Sequence, residues 1–401
     1  MKRQLEKYAG KLIADGGADA ASMAILAKDD QILELGSPEL LQLGRAVLER
    51  LNVVSLVIAD PSLPLLDTLF GRLSPQASEI VPLDTETRTF LHDIPVVRRD
   101  QFSAEHPERL VELLGQRKGI LVEGVGIMTT GSVTVELGYI NYCSIYHALF
   151  IKILLDFLQG NPPTLNEIQS LLPLWHQLQV PIPERVDDLR GAGLEEHEDI
   201  LHAMEIAGRR TVELHLVDSF FGNISCRVGS RQYISQTGAS LDELSGCIDI
   251  VADDNSSTAG ITASSELIAH RAIYQQTGAA AILHGHPKFS VILSLLCEET
   301  DCRIKDCWKE CERVRSLCGT PIVAGEVGAG GIAKKVPPVI GETGTAIVYG
   351  HGVFATGSND FVRPLRALIR LENDCRREYL RLLQGRVVDS SSSVLLAQKQ
   401  V

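Results

Sequence analysis

The chain lacks any uninterrupted apolar stretch of membrane-spanning length, which argues against a membrane-embedded protein. Its opening residues, MKRQLEKYAGKLIADGG, read as a polar amphipathic helix and contain no apolar core of a signal peptide. Positive charge is also scarce. The formal net charge of −13 excludes a broad nucleic-acid or anionic-membrane surface, while leaving room for a local basic pocket. Nine cysteines in 401 residues are too few for a disulfide scaffold, and they are expected to stay thiols in a cytoplasmic protein. What is present is ordinary for a globular chain. A hydrophobic content of 45% with 22% charged residues can build real cores, and the length favours two or more domains.

Five of the cysteines crowd into CEETDCRIKDCWKECERVRSLC, at Cys297, Cys302, Cys307, Cys311 and Cys318. Cys307 and Cys311 are one helical turn apart, so the segment is expected to be a partly buried charged helix carrying small residues. A second metal or cluster site is the lesser reading.

The chain contains an internal repeat. GILVEGVGIMTTGS (119–132) matches TAIVYGHGVFATGS (345–358), with Gly124, Gly126, Thr130, Gly131 and Ser132 on Gly350, Gly352, Thr356, Gly357 and Ser358. The same offset of 226 pairs Arg45-Ala46 with Arg271-Ala272, Pro61 with Pro287, and Pro95 and Val97 with Pro321 and Val323. A constant offset without gaps reads as one domain present twice. The expected organisation is a degenerate copy over 1–160 with a structural role, a linker over 161–189, a second copy over 190–385 and a flexible tail over 386–401. The linker holds a short apolar helix between prolines. The tail is Ser-rich.

The differences between the copies carry the chemistry. The second copy reads AILHGHPK at 281–288, where a short apolar run closed by Pro287 suggests a strand buried on both faces. Alternation puts His284 and His286 on one side of it. The first copy has Ile58, Asp60 and Val125 where the second has His284, His286 and His351. A fold that persists without these histidines does not need them for packing, so they are expected to be metal ligands. Three imidazoles without a cysteine partner suit zinc or a similar divalent ion with one open position.

Small polar stretches accompany them. Gly222-Asn223-Ile224-Ser225, Thr237-Gly238 and Ser264-Ser265 offer backbone N–H groups and short side-chain donors of the kind that bind a phosphate. Each alone is ordinary turn or cap chemistry. Glu266, directly after the serines, is either a residue complementing a helix dipole or a positioned general base. His270, one turn later, reads as packing.

In order, GNIS, TG, SSE, HGH and GHGVFATG over 222–357 make the second copy similar to the class II aldolase/adducin family of L-fuculose-1-phosphate aldolase-like enzymes. The resemblance covers 190–385 and, in degenerate form, the first copy. It implies tandem three-layer α/β/α domains with largely antiparallel central sheets. It implies a catalytic zinc on His284, His286 and His351, one per chain. It places the phosphate of dihydroxyacetone phosphate on Gly222, Asn223, Ser225, Thr237, Gly238, Ser264 and Ser265, and gives Glu266 the proton transfer next to the carbonyl. The implied activity is zinc-dependent aldol cleavage or condensation of a phosphorylated sugar, that of a metal-dependent lyase. The family's tyrosines near the aldehyde have no clear match here, and Tyr379 is a loose candidate.

Alternatives inside the family are a sugar-phosphate 4-epimerase, which typically carries SSD where this chain has SSE, a dehydratase, and oxygenase or decarboxylase chemistry. Outside catalysis stands an adducin-like binding protein, which loss of the histidines would mark. Family rings of four subunits suggest a homo-oligomer, with two chains imitating a four-membered ring. The expected partner is a small-molecule sugar phosphate, with no nucleic acid and no membrane.

Overall fold

A computed structural model describes all residues except 190–193, 219, 255, 257, 298, 300, 301, 326, 327 and 390–401. Of the expected tail, 386–389 belong to the helix Val362–Asp389, and the remainder lies outside the described residues. Residues 1–177 form one compact unit and Leu178–Gly385 another.

The first unit is built on seven strands: β1 (Met23–Lys28), β2 (Ile32–Gly36), β3 (Ser55–Ala59), β4 (Glu79–Ile80), β5 (Ile94–Val97), β6 (Gly119–Val122) and β7 (Gly126–Gly131). They lie in the order β2-β1-β3-β7-β6-β5-β4. Only β5 and β6 run parallel. SLVIA of β3 is buried at every position, because helices cover both faces. Leu56 and Ile58 point into an apolar cluster with Leu43, Val47, Leu110 and Leu114 of the helices Pro38–Leu48 and Glu108–Leu114. The opposite face carries the helix Val135–Leu158.

That helix departs from the expectation drawn from the sequence. It is long and apolar enough to cross a membrane by length and composition, although 72% of the apolar window is buried inside the protein, as in a core helix. Asn141, Ser144 and His147 interrupt its apolar run yet are themselves buried, so the sequence alone understates its apolar length. The amphipathic reading of the opening residues agrees with the helix Lys2–Ala14, which buries Leu5, Tyr8, Ala9 and Leu12. The stretch 161–189 contains the helices Leu165–Ser170 and Leu172–Gln179. Thr164 and Glu167 form a capping box on the former, satisfying its first N–H groups.

The second unit has eight strands: β8 (Asn223–Val228), β9 (Arg231–Ser235), β10 (Ile248–Ala252), β11 (Ala281–Gly285), β12 (Arg315–Leu317), β13 (Thr320–Val323), β14 (Thr345–Val348) and β15 (Gly352–Gly357). Their order is β10-β9-β8-β11-β15-β14-β13-β12. Apart from the added edge strand β10, this is the order of the first sheet. Registers agree as well. Ser55 faces Gly131 as Ala281 faces Gly357, and Val96 faces Leu121 as Ile322 faces Ile347. Both sheets are largely antiparallel, and β13–β14 is the parallel pair of the second.

The cysteine-rich segment is not the helix expected from its sequence. Among its described residues only Cys307–Glu310 is helical, and the chain then enters the β12–β13 hairpin. Dense charge and few apolar residues at helical spacing leave little for a longer helix to bury.

Candidate metal centre

β11 is buried along its whole length, and its small and branched residues fit between two helical layers. His284 lies on this strand and His286 just past its end, both turned to the side of Ile282 and both nearly inaccessible. His351 sits in the turn between β14 and β15. Gly352 makes room for the pair. A Cβ there would stand 2.8 Å from His284 Cε1 and 3.1 Å from His286 Cδ2. Gly222, at φ +81°, brings its backbone so close that a Cβ would lie 2.5 Å from the His284 carbonyl oxygen.

The ligand atoms of the three histidines all lie within 4.8 Å of one another. His284 Nδ1 is 3.0 Å from the Val353 carbonyl oxygen, which can only accept, so Nδ1 carries the proton and Nε2 keeps its lone pair. That Nε2 is 3.0 Å from His286 Nε2. Phe354 stacks on His284 at 4.0 Å and Phe221 on His286 at 5.5 Å between ring centres, which fixes both ring planes.

Glu266 is the residue immediately before the helix Leu267–Gln276 and is buried. Its Oε1 is 3.2 Å from His351 Nε2, and its Oε2 is 3.5 Å from His284 Nε2. Asn223 Nδ2 donates to the same Oε2 at 2.7 Å. Burial pushes the carboxyl upward, but the facing imidazoles of His284 and His351 and the Asn223 amide outweigh it and hold Glu266 below the usual carboxylate range.

The expected phosphate-binding residues fall into three places. Gly222 and Asn223 lie beside His284 and Glu266, with Asn223 Oδ1 buried and without a hydrogen-bond partner. Thr237, Gly238, Ser264 and Ser265 meet at the end of β9. There Thr237 Oγ1 donates to the Ala263 carbonyl at 2.9 Å, Gly238 turns at φ +76°, and Ser264 N donates to the Ser235 carbonyl. Ser264 Oγ also accepts from Glu266 N at 3.3 Å, which joins this turn to the carboxylate. Ser225 stands apart. It is fully buried, its hydroxyl 2.6 Å from His270 Nδ1 and 2.7 Å from the Tyr274 hydroxyl. Burial pushes His270 down to about 3, so its ring is neutral near pH 7. Tyr379 is also fully buried, edge-on to Phe289 at 5.0 Å.

The donor set fits a divalent ion of zinc type. Nitrogens sharing a tetrahedral zinc, with bonds of about 2.0 Å, stand about 3.3 Å apart. The His284–His286 separation of 3.0 Å is close to that. Sequence reasoning did not identify Phe221, Phe354 or the Val353 carbonyl. Phe221 stands in FFGNIS and Phe354 in GHGVFATG, two of the motifs singled out, whereas a backbone oxygen leaves no mark in a sequence.

Fold and site together define a mixed α/β domain that carries a cluster of three histidines able to hold a metal ion. Residues 203–379 match the family model described as Class II Aldolase and Adducin N-terminal domain, so the second unit carries a domain of that family. Among solved structures, L-fuculose-1-phosphate aldolase from Thermus thermophilus is 24% identical, over 47% of this chain and 95% of its own, with a TM-score of 0.37. YgbL from Escherichia coli, described as a putative aldolase/epimerase/decarboxylase, is 18% identical over 46% of this chain and 89% of its own, with a TM-score of 0.38. A sugar-phosphate aldolase from Thermotoga maritima is 16% identical over 46% of this chain and 95% of its own, with a TM-score of 0.34. No curated relative matches the chain.

Proposed function

We propose that the second unit is a metal-dependent lyase that makes or breaks an aldol bond in a phosphorylated sugar, by way of the enediolate of dihydroxyacetone phosphate. The observation that supports this reading is the convergence of three imidazoles, His284, His286 and His351, whose ligand nitrogens lie within 4.8 Å of one another, on the buried carboxylate of Glu266, which is 3.2 Å from His351 and 3.5 Å from His284. The three histidines would hold zinc or a similar ion, which when bound supplies Lewis-acid polarisation of the substrate's carbonyl and hydroxyl oxygens.

Glu266 takes the proton from the carbon beside the carbonyl. The facing imidazoles and the Asn223 amide keep it ionised, the form that can take up a proton. Asn223 fixes one carboxylate oxygen with its amide N–H, and its Oδ1 is left to accept from a substrate hydroxyl. Backbone N–H groups and hydroxyls at Gly222, Thr237, Gly238, Ser264 and Ser265 receive the phosphate. Ser225, whose hydroxyl is taken by His270 and Tyr274, ties β8 to the helix Leu267–Gln276 instead. The first unit is read as a copy of the same domain without a metal site, taking the place of a subunit so that two chains imitate a ring of four. A fully active monomer in a mass measurement would remove that part of the reading.

The test of the chemistry is hydrogen exchange into dihydroxyacetone phosphate in heavy water, followed by NMR. Metal-loaded protein should exchange one carbon-bound hydrogen stereospecifically, and a chelator or Glu266→Gln should stop it. No exchange by metal-loaded protein would overturn the aldolase reading in favour of epimerase, dehydratase or oxygenase chemistry. Protein that takes up no metal would point to a binding domain.

A further inference from the structure

Cys318, the last cysteine of the crowded segment, stands against Cys375 in the second unit. Cys318 and Gly319 form the two-residue turn of the β12–β13 hairpin, where Leu317 pairs with Thr320. Both turn residues have positive φ, +49° and +78°, as the tightest hairpin turns require. The turn presents Cys318 at the edge of the sheet, where it is exposed. Cys375 lies on the helix Val362–Asp389 and is fully buried. The two thiols are hydrogen-bonded to each other. We propose that Cys318 and Cys375 are a redox-active pair, a modification site at which a peroxide closes a reversible disulfide between the hairpin and the helix.

Burial divides the roles between them. The hydrogen bond from Cys375 holds the Cys318 thiol below its usual range, with help from Arg377 and against desolvation, Asp374 and Glu378. The same hydrogen bond, and then burial, pushes the Cys375 thiol up. The exposed sulfur is therefore the one that ionises, and the buried one keeps its proton. An accessible thiolate beside a second thiol is the arrangement in which oxidation stops at a disulfide. The Cys318 thiolate attacks one oxygen of the peroxide, and hydroxide leaves, so that Cys318 becomes a sulfenic acid. The Cys375 sulfur then attacks the Cys318 sulfur. Its proton joins the departing hydroxide as water, and two electrons have passed from the sulfurs to the peroxide.

The two copies differ here as they do at the histidines. At the offset of 226 the first unit has His92 and Leu149 in place of Cys318 and Cys375. His92 also takes a positive φ, +66°, and Leu149 is fully buried in the helix Val135–Leu158. The left-handed turn residue and the buried helix position therefore belong to the fold itself. The thiols do not, since leucine fills the place of Cys375 and imidazole that of Cys318. Packing alone does not account for two sulfurs brought into contact at these two places.

The experiment treats the reduced full-length chain with equimolar hydrogen peroxide, alkylates the remaining thiols in denaturant and maps the peptides by mass spectrometry. A linked peptide joining Cys318 to Cys375 is expected as the main product, undone by a thiol reductant. Sulfinic acid at Cys318 with Cys375 still a thiol would overturn the proposal, as would a linkage confined to Cys297, Cys302, Cys307 and Cys311. Cys375→Ala should give no linked peptide and leave Cys318 as a sulfenic acid that dimedone traps. Native-state alkylation of Cys318 near neutral pH should also slow in that variant by at least about threefold, because the thiolate loses its donor. Equal rates in variant and wild type would contradict the choice of Cys318 as the attacking sulfur. Should Cys375→Ala not fold, Cys318→Ser on the exposed turn decides the matter. Cys375 should then stay a thiol at the same peroxide dose, and its pairing with any other cysteine would overturn the proposal. None of these readouts depends on what the histidine site catalyses.

Discussion

Where the second unit gathers Asn223, Glu266, His270 and His284, the first has Ala24, Leu40, Gly44 and Ile58. The helix and strand positions follow from the 226-residue offset, and Ala24 faces Ile58 across the sheet as Asn223 faces His284. In the first unit this spot is hydrocarbon. Ala24, Leu26 and Ile58 belong to one buried cluster against which Leu40 packs. Gly44 keeps space for it, since a Cβ there would stand 2.6 Å from Leu26 Cδ1 and 3.2 Å from Ile58 Cδ1. The same sheet order therefore closes over an apolar core or over a buried polar site. The polar version is the harder to build, because each buried imidazole and carboxylate needs a partner to offset its lost hydration. Packing does not call for such a site, and the first unit demonstrates it.

Exchanging residues between the units should break the comparison most sharply. Giving the second unit the first unit's residue, His284→Ile, should abolish metal binding at the histidines and lower exchange by at least roughly a thousandfold. Circular dichroism should remain that of the wild type, since isoleucine already fills this place in the sister sheet. Next comes Glu266→Gln, which should keep the metal and lower exchange by about 10²- to 10⁴-fold. Metal analysis beside the NMR assay separates these two failures.

The reverse exchange acts on stability. Ile58→His puts an imidazole among Ala24, Leu26 and Met128 with no polar partner provided, and should cost about 2–4 kcal/mol. Native-state hydrogen exchange of the β1 and β3 amides reads this within the first unit. Gly44→Ala should cost less, about 1–3 kcal/mol from overpacking, by the same readout.

The last effect is one of pH, and it is small at any pH near neutral. His270 is held near 3 in the folded chain against an ordinary 6.5, so its neutral form is the one the fold retains. Its contribution to stability is complete above about pH 6.5 and is lost as pH falls toward 3, because the unfolded chain takes up the proton first. Protection of the β11 amides should fall through that window with a slope of about 1.4 kcal/mol per pH unit from this one group. His270→Gln should remove that share of the slope. Gly44, at the corresponding place, has no side chain to titrate.

The sequence made some of this legible and hid the rest for physical reasons. Spacing and alternation placed His284 and His286 on one side of a buried strand, and the constant offset anticipated matching sheets. Interactions that depend on which backbone or buried atom lies across the sheet stayed out of reach. Asn223 was assigned to phosphate, yet its amide meets Glu266. Ser225 was assigned the same way, yet its hydroxyl is bound by His270 and Tyr274. The helix Val135–Leu158 escaped because its polar residues find partners in the core, as Asn141 Nδ2 does with the Thr130 carbonyl at 2.7 Å. The cysteine segment was misjudged because a charged stretch with a one-turn spacing looks helical until a hairpin competes for it.

Crystals of zinc-loaded protein, with diffraction measured on both sides of the zinc absorption edge, test the central contrast most directly. The prediction is an anomalous peak among His284, His286 and His351 and none beside Ile58, Asp60 and Val125. A fully loaded crystal with no peak among the three imidazoles, or with one in the first unit instead, would contradict it.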